Sequence, residues 1–160
     1  MRAVVNPRPV SAIFCVYSYV AEARSDLPDP VGGVLWFGPA VAYETVYAPI
    51  YAGSESLSRS YTTGARTVYD PDAAYWTFAS VTNWAMLRYD AMIEDIRSKQ
   101  TELEAGSIER VRQTDAEAAD LIAKGDEAAA RRLLTNVTVA RGETRSARNG
   151  ITLRTHIVYF

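Results

Sequence analysis

Val31-Gly32-Gly33-Val34-Leu35-Trp36-Phe37 and, after a Gly-Pro break, Tyr43-Glu44-Thr45-Val46-Tyr47-Ala48-Pro49-Ile50-Tyr51 are the two runs on which the fold turns. Both are dense in Val, Ile, Tyr, Phe and Trp, residues that suit a pleated, packed surface. Ala52-Gly53 closes the second, and Pro28-Asp29-Pro30 precedes the first. Upstream, Val10 to Val20 has the same character and reads as a further strand. The runs are continuous rather than cleanly alternating, which predicts strands covered on both faces. Gly32-Gly33 reads as a turn or bulge. The stretch from Gly53 to Asp72, rich in Ser, Thr and Gly, reads as an ordered loop.

Beyond residue 71 the pattern changes. Residues 1–71 carry 11 charged side chains and residues 72–160 carry 25, and the spacing becomes helical. Asp72 is placed to cap a helix opening Ala73-Ala74-Tyr75-Trp76, which is apolar on most sides to Leu87 and so predicted buried. It then narrows to a stripe through Met86, Tyr89, Ile93 and Ile96. A second helix shows Ile108, Val111, Asp115, Ala118 and Ile122, an apolar stripe with one acidic interruption. Gly125 is placed to end it and Asp126 to cap a third, whose predicted inner face is Ala129, Leu133, Val137 and Ala140. These two helices are expected to form an antiparallel pair. Ile151 to Phe160 returns to period two and reads as a last strand.

The bulk figures exclude several functions. The chain has 160 residues, one domain's worth, of which 48% are hydrophobic and 22% charged, with a net charge of -2. That balance leaves no basic footprint for nucleic acid and no polybasic membrane anchor. The longest apolar stretch, Val10 to Ala23, is too short to span a bilayer, and prolines at 7 and 9 interrupt any signal peptide. The expected location is therefore cytoplasmic. Cys15 is the single cysteine and His156 the single histidine, so no zinc-type ligand set can be written, and no metal or cofactor is expected. Cys15, within Ala12-Ile13-Phe14-Cys15-Val16-Tyr17, reads as a small core residue. The pairs Glu102/Glu104 and Glu117/Asp120 read as solvated helix faces. Tyr75, Trp76, Phe78 and Trp84 read as core, Asn136-Val137-Thr138 as a chance match to a glycosylation acceptor, and His156 as structural.

One ordered succession of motifs carries a resemblance. Arg8-Pro9-Val10-Ser11, Arg24-Ser25-Asp26-Leu27-Pro28 and Gly33-Val34-Leu35-Trp36 come first. Glu44-Thr45-Val46-Tyr47-Ala48-Pro49-Ile50-Tyr51-Ala52-Gly53, Tyr61 and Ala73-Ala74-Tyr75-Trp76-Thr77-Phe78-Ala79-Ser80-Val81-Thr82-Asn83-Trp84 follow. Together they resemble the C-terminal part of the cysteine dipeptidases of peptidase family C69, relatives of secernin, from about Arg8 to about Arg145. The resemblance implies an α+β chain: part of an N-terminal-nucleophile hydrolase fold (αββα), with antiparallel strands followed by a long buried helix and a helical hairpin. Residues 1–160 are expected to form a single unit, with 146–160 a divergent tail.

The implied activity is dipeptide hydrolysis by an N-terminal cysteine whose own α-amine, with a pKa near 8, acts as base. That part of the family lies upstream of the motifs seen here. The chain opens Met1-Arg2, and the bulk of Arg2 disfavours removal of the methionine. The expectation is thus a dipeptidase part that lacks its nucleophile half and is inactive alone, with no catalytic residue carried over. Arg24, Trp36, Pro49, Tyr51 and Trp76 are read as scaffold or pocket wall. The expected partner is an N-terminal dipeptidase half or a larger assembly. The alternative is a non-catalytic structural or interaction subunit derived from such an enzyme. An independent enzyme using Cys15 or the serines of Ser54-Glu55-Ser56 is the least favoured account.

Overall fold

The computed structural model describes residues 11–144; the expected terminal strand, His156 and the divergent tail lie outside them. The chain is mixed α and β. Three strands, β1 (Tyr17–Ala23), β2 (Gly33–Pro39) and β3 (Ala48–Tyr51), make one antiparallel sheet in the order β1-β2-β3. A one-turn helix α1 (Asp29–Gly32) joins β1 to β2, and another, α2 (Arg59–Thr62), lies in the predicted loop. Then come α3 (Ala74–Ala85), α4 (Tyr89–Ala123) and α5 (Glu127–Thr144). No helix of the described residues is long and apolar enough to cross a membrane.

Register decides what the sheet presents. Trp36 pairs with Val20 on one side and Pro49 on the other, and Val34 with Glu22 and Tyr51. Because side chains alternate along a strand, Val20, Glu22, Val34, Trp36, Pro49 and Tyr51 share one face. The α4–α5 hairpin packs on that face. Val34 and Tyr51 join Val31, Val111, Ala118, Ala130, Leu134 and Val137 in the main core. On the opposite face Tyr17 stacks on Phe37, and Phe37 meets the edge of Tyr61.

The hairpin turn forms as its residues predict. Gly125 takes a left-handed φ of 83°, a conformation that costs other residues about 1 kcal/mol or more. Its N–H reaches the Ile122 carbonyl and that of Asp126 the Leu121 carbonyl, both at 2.9 Å, the two bonds that close a Schellman helix end. Asp126 then turns N-cap: its Oδ1 accepts the Ala129 N–H at 2.9 Å.

Several expectations are corrected. The helix predicted from Asp72 starts one residue later in effect, with Ala73 as N-cap and no side-chain cap bond. It breaks at Leu87–Arg88, where Arg88 leaves helical geometry. From Tyr89 a single helix of 35 residues runs on, without the interruption expected between Ile96 and Ile108. Residues 97–107 are mostly strong helix formers, and only Gly106 opposes them, by about 1 kcal/mol. Ile93 and Ile96 are buried as expected, against Val81 and Ala85, but Met86 and Tyr89 are exposed because they flank the break. On α5 the buried stripe is Ala130, Leu134, Val137 and Thr138 rather than Ala129, Leu133, Val137 and Ala140. The helix is turned by nearly one residue so that Thr138 meets β3. Gly32 and Gly33 form neither a turn nor a bulge: they end α1 and begin β2. Nor is β1 covered on both faces. It is exposed along nearly its whole length, being an edge strand.

Candidate functional site

The site grows from Arg24, the residue just after β1. Its guanidinium donates through Nη2 to the Val31 carbonyl at 2.7 Å and lies against the Gly32 carbonyl through Nε, so it ties the end of β1 to α1. The other half of the fork grips Asp115 on α4: Nη1 bonds Oδ2, and Nη2 reaches Oδ1 at 3.2 Å. A planar guanidinium matched to a carboxylate in this way fixes direction as well as distance. The two side chains keep 17% and 14% of their surface exposed, so the pair is largely removed from water.

Tyr51 closes the network from behind. Its hydroxyl donates toward Asp115 Oδ1 at 2.9 Å, with the Val111 carbonyl at 3.2 Å, while its backbone N–H donates to Thr138 Oγ1 of α5 at 3.2 Å. Burial pushes the Tyr51 phenol well above its ordinary value of 10, and the Asp115 carboxylate adds to the rise; Arg24 opposes it. Folding therefore favours the protonated phenol. The sign follows: this contribution to stability is whole below pH 10 and declines as pH climbs above it. Urea midpoints measured from about pH 9 to 11 should fall less steeply for Tyr51→Phe than for the unsubstituted chain.

In front of this pair the sheet and α4 diverge, leaving a cleft of about 540 Å³. Val20, Glu22, Arg24 and Trp36 form the sheet wall, with Tyr47 from the β2–β3 connection. Glu104, Ile108, Val111, Arg112 and Asp115 form the helix wall. Trp36 Nε1 donates to Glu22 Oε2 at 2.9 Å, and the Tyr47 N–H to Glu104 Oε1 at 3.1 Å, so both acidic side chains are held from the far wall or its own sheet. The volume is that of a site for a small molecule, commonly about 300–1,000 Å³. Its lining carries three carboxylates and two guanidiniums over an apolar floor, and includes no cysteine, serine or threonine.

Residues 3–102 match the profile of peptidase family C69. The chain belongs to peptidase family C69. A comparison with curated proteins gives no match. The family match takes in the sheet wall of the cleft and stops short of Glu104, Ile108, Val111, Arg112 and Asp115; the sequence reading extends the resemblance to about Arg145.

In this C69 chain the structure sorts the residues singled out from sequence. Arg24 and Trp36 line the cleft. Tyr51 stands behind it, and Pro49 is buried on β3 beside Trp36. Trp76 is elsewhere, its indole donating to the Ala65 carbonyl and its ring meeting Tyr69 and Tyr75. Phe78 is core, as expected, with Ala40, Val46 and Ala79. Cys15 is only half-buried, just before β1, rather than in the core. Ser54 donates to the Tyr51 carbonyl, outside the cleft lining. Asn136-Val137-Thr138 lies within α5 with Val137 and Thr138 buried.

Two residues were misjudged. Glu104 is half-buried and bonded to the Tyr47 backbone, not part of a solvated face. Glu102, which pairs with Lys99, and Asp120, which pairs with Lys124, do fit that description. Asp115 appears in the sequence only as an acidic break in an apolar stripe. That break was the available signal, because a carboxylate on a buried face needs a cation, and Arg24 is that cation.

Proposed function

We propose that this chain forms the substrate-binding part of a C69-type dipeptidase of the N-terminal-nucleophile hydrolase fold, and that the nucleophile comes from outside the described residues. The observation that carries this reading is the cleft: dipeptide-sized, charged with both signs, and, among the described residues, lined by no cysteine, serine or threonine. Peptide hydrolysis in a cysteine peptidase needs a thiol with a base in reach, and this lining offers charged and apolar groups that suit binding. Among the described residues no strand pairs with the outer edge of β1, which supports the same reading. A strand with unpaired N–H and C=O groups is ready to accept another strand, and the nucleophile-bearing segment is the proposed occupant.

Dipeptide binding is read most simply at Trp36, one of three tryptophans. On titration with Ala-Ala, the Trp36 indole N–H resonance should move while those of Trp76 and Trp84, outside the cleft lining, stay in place. A stationary Trp36 signal at saturating dipeptide would reject the cleft as the binding site.

A further inference from the structure

We propose that Glu104, Ile108 and Arg112 read both ends of a dipeptide at once, Glu104 taking the α-ammonium and Arg112 the α-carboxylate. This rests on the reading of the cleft as a peptide site and adds the residues that set its end specificity. All three line the cleft from α4. Their spacing of four and four puts them on successive turns of one helix face, in the order anion, apolar, cation. An unblocked dipeptide presents the complementary order: ammonium, side chains, carboxylate.

The backbone rise between Glu104 and Arg112 is about 12 Å and two extended residues span about 7 Å, so the two side chains stand on either side of a dipeptide lying along α4.

The other charges of the cleft are already engaged. Arg24 and Asp115 neutralise each other through two bonds. Glu22 holds the Trp36 indole and lies 4.0 Å from Arg24. Glu104 is positioned through one oxygen by the Tyr47 N–H, which leaves its second oxygen for a ligand. Arg112 makes one contact, 3.4 Å to Glu109, and is 78% exposed. An exposed pair of that length is worth little, so the guanidinium gives it up readily for a substrate carboxylate at the mouth of the cleft.

The test is calorimetric titration of the full chain with Ala-Ala, N-acetyl-Ala-Ala, Ala-Ala-amide and the doubly blocked dipeptide. Blocking either end should weaken binding about tenfold or more, the usual weight of a hydrogen-bonded charge. Glu104→Gln should bind Ala-Ala and its N-acetyl form equally, and still discriminate against the amide. Arg112→Gln should show the reverse. Blocked and free dipeptides binding alike, or both variants keeping full discrimination, would overturn the end-reading while leaving the cleft a peptide site. Failure of all four ligands to bind would overturn the peptide-site reading as well. The comparison of ligands on the unsubstituted chain needs no variant to fold.

Discussion

Asp115→Ala should cost the fold about 3 kcal/mol, the low end of the range for a buried ion pair that loses one partner. For a chain of this size that corresponds to a fall in Tm of roughly 6–12 °C. The size comes from what is left behind. Arg24 keeps its bonds to the Val31 and Gly32 carbonyls but its charge, with 17% of the side chain exposed, loses its counter-ion. The Tyr51 hydroxyl loses an acceptor in the same step. Two further variants separate these effects. Tyr51→Phe removes only the hydroxyl and should cost about 1 kcal/mol. The double variant Arg24→Met/Asp115→Leu, which replaces the pair by apolar side chains of similar bulk, should recover most of the loss. Urea denaturation measures all three. An Asp115→Ala chain within about 0.5 kcal/mol of the unsubstituted one would mean that the pair behaves as a surface ion pair and does not hold sheet and helix together.

Where the chain signals itself locally, sequence was enough. Gly125-Asp126 carries its whole instruction in two adjacent residues, and both halves of it are built: the left-handed turn and the N-cap. The strands were legible from their β-branched and aromatic density, although β1 begins at Tyr17 rather than Val10. What could not be read locally was anything that depends on what packs against what. The α5 stripe was misphased because Ala128, Ala129 and Ala130 are interchangeable in sequence; the contact with β3 through Thr138 and the Tyr51 N–H selects Ala130. The continuity of α4 through Gly106 likewise reflects its strong helix-forming surroundings more than one weak residue.

The site divides along the same line. Arg24, Trp36 and Tyr51 stood out as motif residues, and all three are in or directly behind the cleft. The partners of Arg24 and Tyr51 on α4 are not motif residues and come from 60 to 91 residues further along the chain. Arg24 and Asp115 are 91 residues apart, and no periodicity links them. The acidic break in the α4 stripe marked Asp115 as a residue needing a partner, and only the fold names it.

Hydrolysis of a dipeptide panel tests the central claim most directly. The purified chain is assayed alone and together with any N-terminal-cysteine segment encoded upstream of it, with Cys15→Ser run in parallel. Among the described residues the cleft lining contains no cysteine, serine or threonine, so the effect should be all or none. Turnover is expected only in the combination, undiminished by Cys15→Ser, and lost when the N-terminal cysteine is replaced. Turnover by this chain alone, abolished by Cys15→Ser, would contradict the account. So would a folded combination that binds dipeptides and never cleaves them, the behaviour of a non-catalytic descendant of the family.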